Sequence, residues 1–271
     1  MKRMALCAVL ALTLLLGSTL LAEEEGTGAD AGGELAAAKT AEEEKPTIVE
    51  AHDLMQEARE RIGEIEDYTV IFHKREYVNE EFLPEEVARM KVRLEPRRIY
   101  MRWIGEVRNG QEVIWGEGWN EGKIRAHPGG WLGVITVNLD PEGSRAMKGN
   151  RHSVVEAGFR HTIDLIARDL GTALKHPEFV RGIEDLGDRK IFGQKARGFD
   201  ARLDKKEYPK FYGYRARIWI HSKLKLPVRI QIWDREDGRI RLVEDYGYEE
   251  IKTDVGLTDE DFDPDNPDYD F

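Results

Sequence analysis

The chain has 271 residues, of which 41% are hydrophobic and 34% are charged, and its formal net charge at pH 7 is -11. This acidic balance argues against nucleic acid or anionic lipid headgroups as the main partner, because both are negatively charged. The single cysteine, Cys7, excludes an intrachain disulfide, so the fold must be stabilised by a hydrophobic core.

The N-terminus has the pattern of a secretory signal peptide. Lys2 and Arg3 form a basic start, residues 4–21 are mainly apolar, and Ala22 stands at the expected cleavage site. The alternative is an uncleaved membrane anchor, for which the apolar run is near the lower limit of length. We therefore expect residues 1–22 to be a cleaved signal peptide and the mature protein to be periplasmic or extracellular.

The next segment, residues 23–46, is rich in Glu, Gly and Ala and contains no aromatic residue. Such a segment buries too little apolar surface to offset the entropy lost on ordering, so we predict a disordered acidic linker. Residues 47–271 show no internal repeat and no further linker, and they are predicted to form a single domain.

Two segments of this domain have helical periodicity. Thr47 and Glu50 form a capping-box signature, and apolar residues recur at three- and four-residue steps over residues 51–65. A second helix is predicted over residues 159–175 and should end before Pro177, because the residue before proline disfavours the helical conformation.

The rest of the domain has the two-residue period of β-strands. Apolar and charged residues alternate over residues 90–94 and 98–103, which is typical of an antiparallel sheet with one dry face. Asn109-Gly110 and Asp237-Gly238 predict hairpin turns. About nine to eleven strands are expected, which indicates an α+β protein that is mainly antiparallel β. The other predicted strands are Tyr68–Tyr77, a strand after Asn109-Gly110 that carries Val113, Trp115 and Trp119, Trp131–Leu139, Lys190–Leu203, Arg215–Ser222, Val228–Trp233 and Arg239–Tyr248.

The sequence contains no recognisable catalytic motif, and we predict no catalytic residue, no cofactor and no metal site. His161 and Asp164 lie three residues apart on one predicted helix face and could touch, but no third partner is visible. The aspartates of the tail after Gly256 lack the glycine and the distal glutamate of an EF-hand. A solvated acidic end is therefore expected there.

Six tryptophans, all on predicted strands, are the most informative feature. In one interpretation each tryptophan is an ordinary core residue of its strand. In the other, the tryptophans line a cavity on the dry face of a curved sheet that two helices cover only in part. The second interpretation predicts a site for an acyl chain or another hydrophobic ligand. The predicted lining comprises Trp103, Trp115, Trp119, Trp131, Trp219, Trp233, Met101, Ile163, Ile166 and Leu170.

The C-terminal half also carries a family resemblance. RIWIHSKLKLPVRIQIWDREDGRI, from Arg217 to Ile240, and the pattern G-L-x-D-x-x-F-D from Gly256 resemble the lipoprotein-carrier proteins of the bacterial periplasm. More closely, the chain is similar to the DUF1571 family of exported bacterial proteins, which the closing residues Asn266–Phe271 also fit.

The resemblance implies an unclosed, curved β-barrel (a half-barrel sheet) with two or three helices over its concave face and a cavity for acyl chains. It also implies a gating arginine near the early strands, for which Arg93, Arg98 and Arg102 are the candidates. We expect a monomeric, non-enzymatic binder of lipid or of an acylated protein. The alternative is an envelope protein-interaction module whose core is filled by its own side chains; a hydrolase using His161 and Asp164 is less favoured.

Overall fold

The computed structural model describes the backbone of residues 31–130 and 135–271, with side chains from residue 47 onward. The predicted signal peptide and Trp131 lie outside these described residues. Within them, no helix combines the length and the apolar character that crossing a membrane requires.

The described chain contains two α-helices and twelve strands, besides short 3-10 helices. The helices are α1 (Ala31–Glu64) and α2 (Phe159–Lys175). The strands are β1 (Asp67–Val78), β2 (Glu81–Phe82), β3 (Glu86–Leu94), β4 (Arg97–Trp103), β5 (Glu112–Gly116), β6 (Ile124–His127), β7 (Val137–Leu139), β8 (Val180–Ile191), β9 (Gln194–Leu203), β10 (Arg215–His221), β11 (Pro227–Glu236) and β12 (Arg239–Thr253).

The strands form one antiparallel sheet in the order β7-β6-β5-β4-β3-β1-β12-β11-β10-β9-β8, with β2 paired to the end of β1. The edge strands β7 and β8 are not paired with each other in the described chain, so the sheet is open. Asp237 and Gly238, with φ of 49° and 75°, form the two-residue turn between β11 and β12, as a type I′ hairpin requires. These features confirm the predicted α+β fold with an unclosed antiparallel sheet.

The strand period sorts side chains onto two faces of the sheet. Met90 and Ile99 are fully buried on the inner face of the sheet. Phe159 and Ile163 of α2 are fully buried as well. Helices α1 and α2 together pack over β9 and β10, where Leu170 lines only a small gap. The helices therefore cover the part of the inner face near β9 and β10.

Helix α1 begins at Ala31 rather than at the predicted Thr47, so part of the predicted disordered linker is helical. Ala and Glu, two of the residue types that suggested disorder there, are also strong helix formers. Their lack of apolar surface excludes core packing but does not exclude a helix.

The predicted strand Lys190–Leu203 is in fact parts of two strands. β8 and β9 form a hairpin around Phe192 and Gly193, whose φ values are 49° and 74°. Phe192 gave no turn signal because aromatic residues rarely adopt a positive φ. β8 itself is rich in charged residues, which hid its strand character.

The acidic C-terminal tail packs across the outer face of β3, β4 and β5, and the prediction of a solvated end is wrong. Tyr269 stacks on Tyr100 with ring centroids 4.0 Å apart. Lys91 donates a hydrogen bond of 2.7 Å to Asp261 and one of 3.0 Å to the Tyr269 hydroxyl. Phe262 is buried against the same face. The aromatic residues among the acids supply the packing surface, and basic strand residues balance the charge.

Candidate functional site

A cavity of about 560 Å³ lies over the part of the inner face formed by β1, β3 to β7 and β12. Its size falls within the usual range of small-molecule sites. Much of its wall is apolar, and this part includes Phe72, Met101, Trp103, Val113, Ala126 and Leu139. Ile135 also lines the cavity and is 62% exposed, which places it at the rim.

Strand alternation explains which residues reach the cavity. Met101 and Trp103 point inward from β4, whereas the intervening Arg102 points outward. On β1 the same period brings Lys74 and Glu76 inward after Phe72. The cavity therefore has charged side chains on what is otherwise the dry face.

Glu86 is the centre of one polar end of the cavity and is 5% exposed. Its carboxylate accepts a hydrogen bond of 2.8 Å from the indole N–H of Trp103. The Arg108 Nε lies 3.3 Å from it, and the Lys74 Nζ lies 3.5 Å from it. Lys74 also donates to the side-chain oxygen of Asn150. Burying a carboxylate is costly unless such partners surround it.

His152 is the centre of a second polar cluster in the cavity wall. Its Nδ1 lies 2.9 Å from Glu156, and its Nε2 lies 3.0 Å from Glu244. Glu244 also accepts a 2.7 Å hydrogen bond from the Tyr212 hydroxyl. Burial alone would lower the pKa of His152, but Glu244 and Glu156 raise it to about 9. Burial lowers the pKa of the neighbouring His161.

The predicted lining residues are spread over both faces of the sheet. Trp103 and Met101 line the cavity. Trp115 packs against the main core and lies outside the cavity lining. Trp119 lies after the end of β5 rather than on a strand as predicted, and it packs against the outer cluster of Tyr100 and Phe262.

The tryptophans of β10 and β11 lie on the outer face. Trp219 stacks under Arg189, and Trp233 stacks under Arg215 at 4.6 Å. Ile218 and Ile220, the strand neighbours of Trp219, point inward beneath the helices. A tryptophan on a strand does not by itself indicate the face on which it lies.

The predicted helical lining residues Ile163, Ile166 and Leu170 are buried in the core and do not reach the cavity. They pack where α2 already covers the sheet. The cavity lies beyond this packed region, against β1, β3 to β7 and β12.

The three candidate gating arginines also lie away from the cavity. Arg93 binds Asp259 at 2.7 Å and Arg102 binds Asp270 at 2.8 Å, both in the C-terminal tail. Arg98 alternates with the inward-facing residues of β4 and so shares the outer face. Strand parity puts all three on the side opposite the cavity.

His161 and Asp164, which could touch according to the sequence, have separate partners in the structure. Asp164 pairs with Arg59 of α1 at 2.9 Å. His161 instead faces Glu156 and His152, which precede α2 in the chain.

Sequence reasoning missed Lys74, Glu76, Glu86, His152 and Glu244. A signal was present for the strand residues, because charged side chains at positions that alternate in phase with buried apolar ones should lie on the dry face. For His152 no such signal exists, since it lies in a loop without periodicity.

Comparison with known proteins gives one family match. A family model described as "Protein of unknown function (DUF1571)" matches residues 65–271. A sequence search of curated proteins found no match.

Several solved structures have a similar arrangement at low identity. Lipoprotein LppX from Mycobacterium tuberculosis is 13% identical, with a TM-score of 0.45 over 76% of this chain and 96% of its own. An outer membrane lipoprotein-sorting protein domain from Vibrio parahaemolyticus is also 13% identical, with a TM-score of 0.36 over 77% of this chain and 95% of its own. The MucA/MucB complex from Pseudomonas aeruginosa contains a chain 12% identical, with a TM-score of 0.43 over 79% of this chain and 60% of that one.

Proposed function

The chain belongs to the DUF1571 family, and we propose that it binds one hydrophobic ligand, a lipid or the acyl chain of a lipoprotein, without catalysing a reaction on it. We propose further that it does so outside the cytoplasm, as the apolar N-terminal segment predicts. The cavity of about 560 Å³, with apolar walls and a charged end, carries this proposal.

The apolar walls would supply most of the binding energy. Burying a chain of a dozen methylenes contributes roughly 10 kcal/mol at about 0.8 kcal/mol each. The loss of translational and rotational freedom costs an amount of similar size, about 4–15 kcal/mol. Apolar burial alone therefore supports weak binding, and the polar end is expected to decide affinity.

The polar end suits the head of an amphipathic ligand. The cavity is lined by three side chains with N–H donors, those of Lys74, Arg108 and Asn150. A carboxylate, phosphate or ester oxygen could accept hydrogen bonds from them. Since Lys74 and Arg108 already lie beside Glu86, the polar head of a ligand would join an existing network of hydrogen bonds and ion pairs. An amphipathic ligand would therefore bind in one orientation, with its head beside Glu86.

Uptake of a fluorescent fatty acid by delipidated full-length protein tests the proposal. We expect saturable binding of one probe per chain at micromolar concentration. Ala126→Trp fills the cavity from β6 and should weaken probe binding at least tenfold. Ile240→Trp places the same side chain at an exposed position of β12 and serves as the matched control.

Two results would contradict the proposal. One is the absence of saturable uptake by folded, delipidated wild-type protein. The other is equal probe affinity of the Ala126→Trp and Ile240→Trp variants. If neither result is obtained, mass spectrometry of an organic extract of the natively purified protein would identify the ligand class.

A further inference from the structure

We propose that His152, Glu156 and His161 form a binding site for one zinc ion in the wall of the cavity. The three side chains offer one ligand atom each, and these atoms all lie within 4.8 Å of one another. This proposal does not depend on the hydrophobic ligand, because the site is formed by protein groups alone.

The local backbone brings these three residues together. Glu156 ends a short 3-10 helix (Val154–Glu156), and Gly158, at a φ of 99°, turns the chain into α2. His161 then lies in the first turn of α2. Few residues other than glycine adopt such a φ, so this turn fixes how His161 faces the loop.

The distances suit a metal ion after small side-chain movements. His152 Nδ1 lies 2.9 Å from one Glu156 oxygen, and His161 Nε2 lies 3.8 Å from the other. Two ligands of a tetrahedral zinc ion, each about 2.1 Å from it, lie about 3.4 Å apart. The two observed separations lie on either side of this value, and all three ligand atoms lie within 4.8 Å of one another, so zinc binding requires an adjustment of these side chains.

The environment of His152 matches that of a metal ligand. Its Nε2 is held by the Glu244 carboxylate at 3.0 Å, and Glu244 is itself held by Tyr212. A histidine that binds a metal through one ring nitrogen usually donates the other N–H to a carboxylate, which fixes the ring. Here Nδ1 would bind zinc and Nε2–H would donate to Glu244.

The charges are also balanced for a divalent cation. Glu156 would be a direct ligand, and the buried Glu244 lies one hydrogen bond further away, so two carboxylates offset the charge of the ion. The neighbouring cation Arg151 pairs with Glu236 at 2.9 Å and also lies 3.4 Å from Glu244.

Three protein ligands leave one tetrahedral position open, and all three line the cavity. A water molecule or an oxygen of a cavity ligand would complete the coordination.

Zinc titration of untagged, chelator-stripped full-length protein tests the site. In competition with a chromophoric chelator, we expect one zinc ion per chain with micromolar or tighter affinity. His161→Ala and Glu156→Gln should each weaken it at least tenfold while leaving the circular dichroism spectrum unchanged. The matched control is His176→Ala, because His176 pairs with Glu178 at 3.2 Å and no second histidine completes that pair in the described chain.

A second measurement keeps the proposal testable if a variant folds poorly. In the wild-type protein, zinc should shift the imidazole ¹⁵N signals of His152 and His161 and leave those of His176 in place. The proposal fails if zinc does not bind stoichiometrically, if the His161→Ala variant binds as tightly as His176→Ala, or if these two imidazole signals do not move.

Discussion

The indole N–H of Trp103 donates a 2.8 Å hydrogen bond to the carboxylate of Glu86 in the wall of the cavity. This contact joins the apolar and polar parts of the proposed binding site through a single side chain. The ring faces the cavity, while its N–H is satisfied by a carboxylate that is almost fully buried. A ligand in the cavity would therefore contact an indole whose position is fixed.

Trp103 should report ligand binding by its fluorescence. We expect fatty acid to change the tryptophan emission of the wild-type protein and the change to be largely lost in Trp103→Phe. Trp233→Phe is the control, because Trp233 lies on the outer face under Arg215 and should not sense the cavity. Equal responses of the two variants would show that the ligand binds elsewhere.

The C-terminal tail should contribute to stability even though it is acidic. Tyr269→Ala removes the stacking on Tyr100 and the hydrogen bond from Lys91. The Tyr269 hydroxyl also donates a 2.7 Å hydrogen bond to the backbone carbonyl of Asp261. Loss of one aromatic pair and two hydrogen bonds should lower the free energy of unfolding by roughly 2–4 kcal/mol. Urea unfolding measures this difference, and an unchanged midpoint would mean that the tail does not dock in solution.

The docked tail should also make stability depend on pH. Burial alone would raise the pKa of Asp261, but hydrogen bonds from Lys91 and from the Thr258 backbone hold it below the ordinary value of 3.8. A carboxyl group with a lowered pKa in the folded state stabilises it above the unfolded-state pKa, and this contribution is lost as pH falls through the folded-state pKa.

The stability gap between wild type and Asp261→Asn should therefore be full at neutral pH and close as pH falls below about 4. Asp265→Asn is the control, because Asp265 is exposed and its side chain forms no ion pair among the described residues. A gap that stays constant from pH 7 to pH 3 would contradict the assigned ion pair with Lys91.

Much of the fold could be predicted because its determinants are local. The limits of α2 coincide with the predicted helix, and the turn at Asp237-Gly238 is where the sequence placed it. The hairpin at Phe192 was missed because tertiary packing, including a stacked contact with His73, holds a residue that does not itself favour a turn. Likewise, the composition of residues 31–46 predicted their polarity but not their helical backbone conformation.

The site was harder to predict because it depends on which face each residue occupies and on a loop. A one-residue difference in strand phase separates Trp103, in the cavity, from Arg102, on the outer face. The histidine cluster joins a loop residue, His152, to a helix residue, His161. No periodic pattern links two such positions, so only the folded backbone reveals their proximity.

Gly158 should be the least replaceable residue of this loop. A Cβ atom at this position would lie 2.2 Å from the hydroxyl of the buried Tyr68, and the φ of 99° is unfavourable for any other residue. The same hydroxyl accepts a 3.2 Å hydrogen bond from the backbone N–H of Phe159, so it cannot move without exposing the start of α2. Gly158→Ala should therefore lower the free energy of unfolding by roughly 2–4 kcal/mol.

Gly63→Ala provides the control with the opposite sign. Gly63 lies within α1, where an added Cβ would meet no other described atom within 4 Å. Alanine is favoured over glycine in a helix, so this variant should gain about 0.5–1 kcal/mol in urea unfolding. If Gly158→Ala were as stable as wild type while Gly63→Ala gained stability, the close approach of Gly158 to Tyr68 would be incorrect. The direction in which His161 faces His152 would then be incorrect too, because the turn at Gly158 leads into α2, which carries His161.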